Sequence, residues 1–349
     1  MRKDTIPNDG GHARRRRVVR AALLAALVLA LAPRAGLEAQ TLTPFRFGIS
    51  APVVTIFPVW MAEAGGFYGK EGLKVEVVTM EGGSRGVQVL LSGEIQGMHV
   101  GVAPVIQANR AGGDLRAITS TANTIPITIF SKPDIKSAAD LKGKSIGISA
   151  FGSETDIAVS LALRKLGLDR KDVTILQIGG SAQRFAALTA GRIDAVPLLE
   201  PTITMAREKG FNPLLDLAAE KTPWIFDSVV VTKSYLRDHA DTLTHFIKAY
   251  LAGAYLALAD ASKAKAEIAK RFKTQDPKVI DATYDDFRRL MPRDAAPSVE
   301  GARNVMQQLQ AVGIEVGSKN VDDYLDPGII ETLKRDGYFA QLEKEFPVR

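Results

Sequence analysis

Cysteine is absent from this chain of 349 residues, and histidine occurs only four times. Without cysteine there are no disulfide bonds, thiolate metal sites, cysteine nucleophiles or lipid-bearing cysteines. Three histidines lie beyond residue 40, at His99, His239 and His245, and none has the spacing of a metal ligand. Phosphate-binding loops, zinc-protease motifs and nucleophile elbows are also missing. The sequence therefore predicts no metal, no cofactor and no catalytic residue.

Long apolar runs are also missing, since the longest, Ala21–Ala32, has twelve residues and is too short to span a bilayer comfortably. Arg14–Arg17 and Arg20 precede it and Pro33 follows it. This layout is typical of a secretory signal peptide, which we assign to residues 1–39. The alternatives are an N-terminal membrane anchor and a mis-called start site. Arg15–Val19 also fits a loose twin-arginine export pattern. With no cysteine to carry a lipid, we expect the mature protein to stay in the periplasm.

The net charge of +6 comes mostly from the predicted leader, because residues 1–39 hold eight basic and three acidic residues. The rest of the chain is close to neutral. Its charge therefore gives no reason to expect nucleic acid or an anionic membrane surface as a partner.

Four short phrases occur twice in the same order, 95 to 99 residues apart. The pairs are Gly48–Ala51 with Gly147–Ala150, Gly72–Leu73 with Gly167–Leu168, Gly82–Ser84 with Gly179–Ser181, and Gly93–Gln96 with Gly191–Asp194. Repetition in register is a signature of duplicated units. The sequence therefore predicts two similar α/β lobes, and a cleft between two lobes favours the binding of a small molecule.

Short apolar strand signals alternate with helical patterns up to residue 232, and only helical patterns follow. This order predicts an α/β fold with a mainly parallel sheet flanked by helices in each lobe. We expect lobe 1 to comprise 40–123 and 233–349, whose helical tail returns to pack on it, and lobe 2 to comprise 124–232. The chain then crosses between lobes near Thr121–Thr124 and Lys221–Pro223, which together form a hinge.

Ligands of open α/β sheets bind beyond the carboxyl ends of the strands, and the repeated phrases fall at such places. Glycine lets the backbone approach a ligand, while serine hydroxyls and free helix N–H groups attract an electron-rich oxygen. These arguments select six candidate ligand contacts: Ser50, Ala51, Gly83, Ser84, Gly180 and Ser181.

A strand-to-helix junction supplies four more candidates, Phe151, Gly152, Ser153 and Thr155, although Ser153 also suits a simple helix cap. Further candidates each have a plainer alternative, either a surface position or a core position. They are Arg85 as the partner of a ligand anion, Phe57 and Trp224 as stacking walls, and Glu200 at the cleft.

Several motifs resemble one known family. They are Pro58-x-Trp60-x-Ala62-x-x-x-Gly65-Gly66-Phe67-Tyr68, Glu71–Leu73, Leu91–Ile95, Asp140–Lys144, Leu166–Leu168, Ala187–Ala195 and Glu200-Pro201. Together they resemble the substrate-binding proteins of ABC importers for nitrate, aliphatic sulfonates, taurine and thiamine-precursor pyrimidines. One departure is Gln96, where many members have an aspartate.

The resemblance implies a two-lobed, type II-like periplasmic-binding-protein fold. It also implies a monomeric, non-enzymatic receptor that closes on one solute and delivers it to an ABC permease in the inner membrane. The alternatives are an enzyme on the same fold and a surface-recruiting or sensory module that binds a solute without a permease. Thiamine-pyrimidine synthases rely on a cysteine-rich segment and a histidine that have no match here, and the leader argues against a menaquinone-pathway enzyme. Small oxyanions, sulfonates, aromatic acids and pyrimidines all stay open. Phe151 and the scarcity of charge at the expected cleft favour an organic solute over nitrate.

Overall fold

The computed structural model describes Met1 and residues 41–347. The predicted signal peptide, apart from Met1, lies outside the described residues. The rest of the chain from Leu42 forms one compact unit with eleven strands in two sheets. None of the helices in residues 41–347 combines the length and the hydropathy that crossing a membrane requires.

The first sheet has the strand order β2-β1-β3-β11-β4, with β5 paired to β11. β1 runs parallel to β2 and β3, whereas β11 runs antiparallel to β3, β4 and β5. Its strands are β1 (Thr43–Ile49), β2 (Leu73–Thr79), β3 (Gly97–Val100), β4 (Leu115–Ala117), β5 (Ala122–Thr124) and β11 (Pro223–Thr232).

The second sheet has the order β10-β6-β9-β7-β8. In reverse this is β8-β7-β9-β6-β10, in which each strand occupies the position of β2, β1, β3, β11 and β4 of the first sheet, respectively. Here β7 runs parallel to β8 and β9, and β6 is the antiparallel strand. Its strands are β6 (Thr128–Ser131), β7 (Ser145–Ile148), β8 (Thr174–Gln177), β9 (Ala195–Leu198) and β10 (Asn212–Asp216). The predicted mainly parallel sheets are confirmed, with one antiparallel strand in each.

Each sheet carries its own helices, and we call each sheet with its helices a lobe. Lobe 1 has α1 (Phe57–Ala64), α2 (Phe67–Lys70), α3 (Gly83–Leu91) and α4 (Val102–Arg110). Lobe 2 has α5 (Ala138–Leu141), α6 (Glu154–Lys165), α7 (Ser181–Thr189) and α8 (Thr202–Glu208). Ser153 caps α6 by accepting a hydrogen bond from the Asp156 backbone N–H, and acidic residues in its first turn suit the helix dipole.

Seven α-helices follow β11 within the described residues. They are α9 (Lys233–Asp238), α10 (Ala240–Ala259), α11 (Ala261–Phe272), α12 (Pro277–Leu290), α13 (Val299–Ala311), α14 (Gly328–Arg335) and α15 (Tyr338–Glu345). α10 lies against α1 so closely that a Cβ at Gly253 would come within 2.5 Å of the Pro58 carbonyl oxygen. On the first sheet, the Phe246 ring of α10 has its centroid 4.6 Å from that of Phe45 and 4.7 Å from that of Phe47.

The strand Pro223–Thr232 differs from the sequence-based expectation, which assigned it to lobe 2. Its hydrogen bonds lie in the first sheet, because a buried apolar strand there fills the position between β3 and β4. The chain passes between the sheets after Thr124 and again before Pro223, and these two residues face each other in the β5–β11 pairing.

Candidate functional site

A cavity with an empty volume of about 460 Å³, its mouth included, lies between the two lobes. Its lobe 1 wall is formed just after β1, β2 and β3, by Ser50, Ala51, Val53, Gly82, Gly83 and Gly101 together with Val100 at the end of β3. Its lobe 2 wall is formed after the equivalent strands, by Ser149, Ser153, Glu154, Thr155, Gly180, Ser181, Arg184 and Leu199. Phe226 and Asp227 of β11 complete it. The cavity therefore uses equivalent strand ends from both halves of the duplication.

Seven of the fourteen predicted contact residues line this cavity. They are Ser50, Ala51, Gly83, Ser153, Thr155, Gly180 and Ser181. Most of their hydroxyls are already engaged. Ser153 Oγ lies 2.8 Å from Ser149 Oγ and 2.9 Å from Thr155 Oγ1, and Ser181 Oγ lies 2.7 Å from Thr202 Oγ1. As ligand contacts these residues stay predictions.

Three other predicted residues join the lobes beside the cavity instead of lining it. Ser84 Oγ donates to the Phe151 carbonyl over 3.0 Å, and Gln107 Nε2 donates to the Gly152 carbonyl over 2.8 Å. Phe151 is 55% exposed, so it does not form a wall of the cavity. Arg85, on the solvent side of α3, is exposed and also lies outside the cavity.

The remaining three predicted residues do not line the cavity, because their side chains contact other parts of the protein. Phe57 lies in the core, with its ring edge-on to Phe287 at 5.1 Å. Glu200 lines a separate surface pocket, where it accepts a hydrogen bond from Thr204 Oγ1 and burial raises its pKa to about 7. Trp224 is fully buried and donates a hydrogen bond, so it does not form an open stacking wall.

Charged residues line the cavity, contrary to the scarcity of charge expected from the sequence. The acidic and basic lining residues are Glu154, Arg184 and Asp227, and none of them is among the fourteen predicted contacts. Asp227 could have been identified from the sequence, because it is the one acidic residue in the otherwise mostly apolar strand Pro223–Thr232. Arg184 follows Ser181 by three residues on α7 and so shares its helix face. An acidic residue in the first turn of a helix is already explained by the helix dipole. The sequence therefore contains no indication that Glu154 also lines the cavity.

Glu154 joins three parts of the molecule. Its Oε1 accepts a hydrogen bond of 2.7 Å from the Ala103 N–H in the first turn of α4, and its Oε2 accepts one of 2.7 Å from Trp224 Nε1. Burial raises the pKa of this carboxyl from 4.5 to about 8, and the two hydrogen bonds oppose that shift only in part. A lobe 2 side chain thus occupies the positive end of a lobe 1 helix.

Asp227 stands at the end of a buried polar chain. Thr55 Oγ1 donates to its Oδ2, and His99 Nδ1 lies 3.4 Å from its Oδ1. On the far side of the imidazole, His99 Nε2 is 2.7 Å from Thr121 Oγ1, which contacts the Tyr250 hydroxyl. This chain fixes the orientation of a carboxylate that borders the cavity.

Arg184 is 2% exposed and is held by backbone carbonyls. Its Nε donates to Pro197 O over 2.9 Å, and its Nη1 donates to Gly179 O over 2.5 Å. Burial lowers the pKa of the guanidinium to about 9. The carbonyls anchor the side chain beside the Gly179–Gly180 turn, at the cavity wall.

Among the residues that the structure describes, no group of three or more histidine, aspartate or glutamate side chains is placed to hold a metal ion. The cavity offers charge, hydroxyls and peptide groups, which suit the binding of a small solute.

Comparison with known proteins places the chain in a family and identifies its fold. The family model described as NMT1/THI5 like matches residues 54–264, more than half of the chain. The protein YtlA of Bacillus subtilis is 25% identical over 278 residues, which are 77% of this chain and 82% of that one.

Two solved structures are similar in fold. The alkanesulfonate-binding protein SsuA of Xanthomonas axonopodis pv. citri, bound to MOPS, superposes with a TM-score of 0.65 at 20% identity over 77% of this chain and 92% of that one. The periplasmic nitrate-binding protein NrtA of Synechocystis PCC 6803 also gives a TM-score of 0.65, at 12% identity over 88% and 90% of the two chains. These confirm the predicted two-lobed periplasmic-binding-protein fold. On the strength of the family model, this chain belongs to the NMT1/THI5-like family.

Proposed function

We propose that the protein is a solute receptor that captures one small organic or oxyanionic molecule between its lobes and delivers it to an ABC permease. The observation that carries this proposal is the cavity itself, whose walls come from equivalent strand ends of both lobes.

The contacts between the lobes support a mechanism of closure. Ala103 N–H binds Glu154, Gln107 binds the Gly152 carbonyl and Ser84 binds the Phe151 carbonyl, so each contact needs both lobes together. A solute that touches both walls binds the closed form better and shifts the equilibrium toward it. Micromolar affinity needs about 8 kcal/mol of net binding free energy. A few charge-assisted hydrogen bonds in a dehydrated cavity can supply it.

The names of similar proteins support the cellular setting. NrtA is named as a periplasmic nitrate-binding protein and SsuA as an alkanesulfonate-binding protein. A periplasmic location, an ABC permease as partner, a monomeric state and the absence of enzymatic activity all belong to this proposal.

A thermal-shift screen tests the proposal. Nitrate, alkanesulfonates, aromatic acids and aminopyrimidines are added singly to the purified protein. A true solute at a hundredfold excess over its dissociation constant should stabilise the protein by about 2.7 kcal/mol. Chromatography of the mixture should recover the solute unchanged, whereas conversion to a product would replace the receptor with the enzyme alternative.

Two variants locate the binding. Ala51→Trp places a large ring at the cavity wall and should abolish the solute-dependent shift. Arg85→Ala, on the exposed side of α3, should leave the shift unchanged and serves as the control. Equal shifts in both variants would place the solute outside the cavity.

A further inference from the structure

The ionisable side chains that line the cavity limit which functional groups a bound solute can carry. This inference rests on the proposed function. Of the cavity-lining residues in the described part of the chain, the ionisable ones with acidic or basic side chains are Glu154, Asp227 and Arg184. Each is at least nine-tenths buried. A buried charge is costly unless a partner compensates it, so the hydrogen bonds that each side chain leaves open indicate what a solute must bring.

Glu154 needs nothing from a solute. Both of its carboxylate oxygens accept hydrogen bonds of 2.7 Å within the protein, from Ala103 N–H and Trp224 Nε1. Its role is to hold the two lobes together.

Asp227, in contrast, has an open oxygen. Its Oδ2 accepts a hydrogen bond from Thr55. The imidazole nitrogen His99 Nδ1, which has no hydrogen-bond partner of its own, lies 3.4 Å from Oδ1, and no other described donor is hydrogen-bonded to that oxygen. That distance exceeds the usual 2.7–3.2 Å or so of an N–H···O hydrogen bond. Since Asp227 is only 3% exposed and borders the cavity, its Oδ1 calls for an N–H donor from the solute.

Arg184 has the opposite need. A guanidinium carries five N–H donors, and the two bonds to the Pro197 and Gly179 carbonyls leave the rest available. No carboxylate among the described residues forms an ion pair with it, although it is buried at the cavity wall. An anionic group from the solute would complete the planar, two-pronged pairing that arginine favours.

We propose that the solute is bifunctional, with an ammonium or amino nitrogen directed to Asp227 and a carboxylate, sulfonate or phosphate group directed to Arg184. A simple oxyanion would satisfy Arg184 but would share the cavity with two buried carboxylic groups. A simple amine would leave Arg184 without a counter-ion. A compact molecule with both groups satisfies both walls, and because Asp227 lies on β11 of lobe 1 and Arg184 on α7 of lobe 2, it also bridges the lobes.

Matched probes test this directly by thermal shift of the full-length protein. One set is β-alanine, propionate and propylamine, and the other is 4-aminobenzoate, benzoate and aniline. We expect a bifunctional member to raise the melting temperature, and the two molecules that carry only one of its groups to have no effect at the same concentration. In parallel, the protein is incubated with an untargeted metabolite extract, and the retained solute is identified by mass spectrometry.

The variant Asp227→Asn keeps the size of the side chain and an oxygen for Thr55 but removes the charge. It should weaken binding of the bifunctional solute at least tenfold, whereas Glu94→Gln, exposed and outside the cavity, should not. Arg184→Gln should weaken binding by a similar factor. If either cavity variant fails to fold, the wild-type probe sets and the retained solute still decide the matter.

The outcomes separate the two proposals. A retained solute that lacks either the nitrogen donor or the anionic group, or a shift by a one-group probe equal to that of its bifunctional parent, overturns this inference and leaves the receptor function standing. Failure of every probe to bind, together with no retained solute, overturns both.

Discussion

The buried Glu154 connects the lobes, although its burial disfavours ionisation of its carboxyl group. Its carboxylate accepts from the first turn of α4 and from the indole of Trp224. A glutamate after an N-capping serine predicts a helix start from sequence alone. Only the fold places that helix end against the opposite lobe, so the interlobe role of Glu154 could not be predicted from local pattern.

The pH dependence of stability should report the burial of Glu154. Its pKa rises from 4.5 to about 8 on folding, so the folded state holds the proton more tightly than the unfolded state. The associated stability is fully present below about pH 4.5 and is lost as the pH rises toward 8. We expect urea denaturation to show this loss of stability in the wild type and not in Glu154→Gln, because the variant has no titratable group at position 154. Parallel pH profiles for the two proteins would contradict the assignment.

Trp224→Phe isolates one of the two hydrogen bonds to Glu154. The substitution removes the indole donor and leaves Oε2 of a buried carboxylate without it. We expect a loss of about 1–3 kcal/mol in the free energy of unfolding, the cost of a buried group left unsatisfied. Trp60→Phe is the matched control, because Trp60 is also buried but donates no such bond. Equal losses in the two variants would show that only ring packing matters.

At the scale of elements, strands and helices that depend on local pattern were predictable. The repeated glycine phrases lie where expected, at the ends of β1 and β7 and at the starts of α3 and α7. What local pattern could not supply is the pairing of distant strands. Pro223–Thr232 was therefore assigned to lobe 2, although its partners β3 and β4 lie more than one hundred residues earlier.

The closeness of α4, α6 and β11 should make Gly101 intolerant of a side chain. A methyl group there would overlap the Glu154 Oε1 atom and the Phe226 carbonyl oxygen, which is backbone and cannot rotate away. We expect Gly101→Ala to lower the free energy of unfolding by about 1–3 kcal/mol, as overpacking usually does. Gly69→Ala, with open space around it and a backbone that suits alanine, should be neutral or slightly stabilising. A neutral Gly101→Ala would mean that the three elements are not in contact.

At the scale of the whole molecule, the duplication explains the site. Two sheets of matching strand order turn equivalent loops toward one cavity, and β11 adds Phe226 and Asp227 from the crossing segment. Seven of the predicted residues line that cavity because they belong to the repeated loops or to the start of α6. The acidic and basic lining residues could not be predicted, because Arg184 and Asp227 lie outside the repeated phrases and only the fold brings them to the same cavity.

The central claim is that one solute contacts both lobes in this shared cavity, and amide hydrogen exchange tests it most directly. The wild-type protein is measured with and without the solute found in the thermal-shift screen, peptide by peptide. The account predicts slower exchange on both walls at once, in segments 50–53 and 82–84 of lobe 1 and 149–155 and 179–181 of lobe 2. Protection confined to one lobe, or found only at a distant surface, would contradict it.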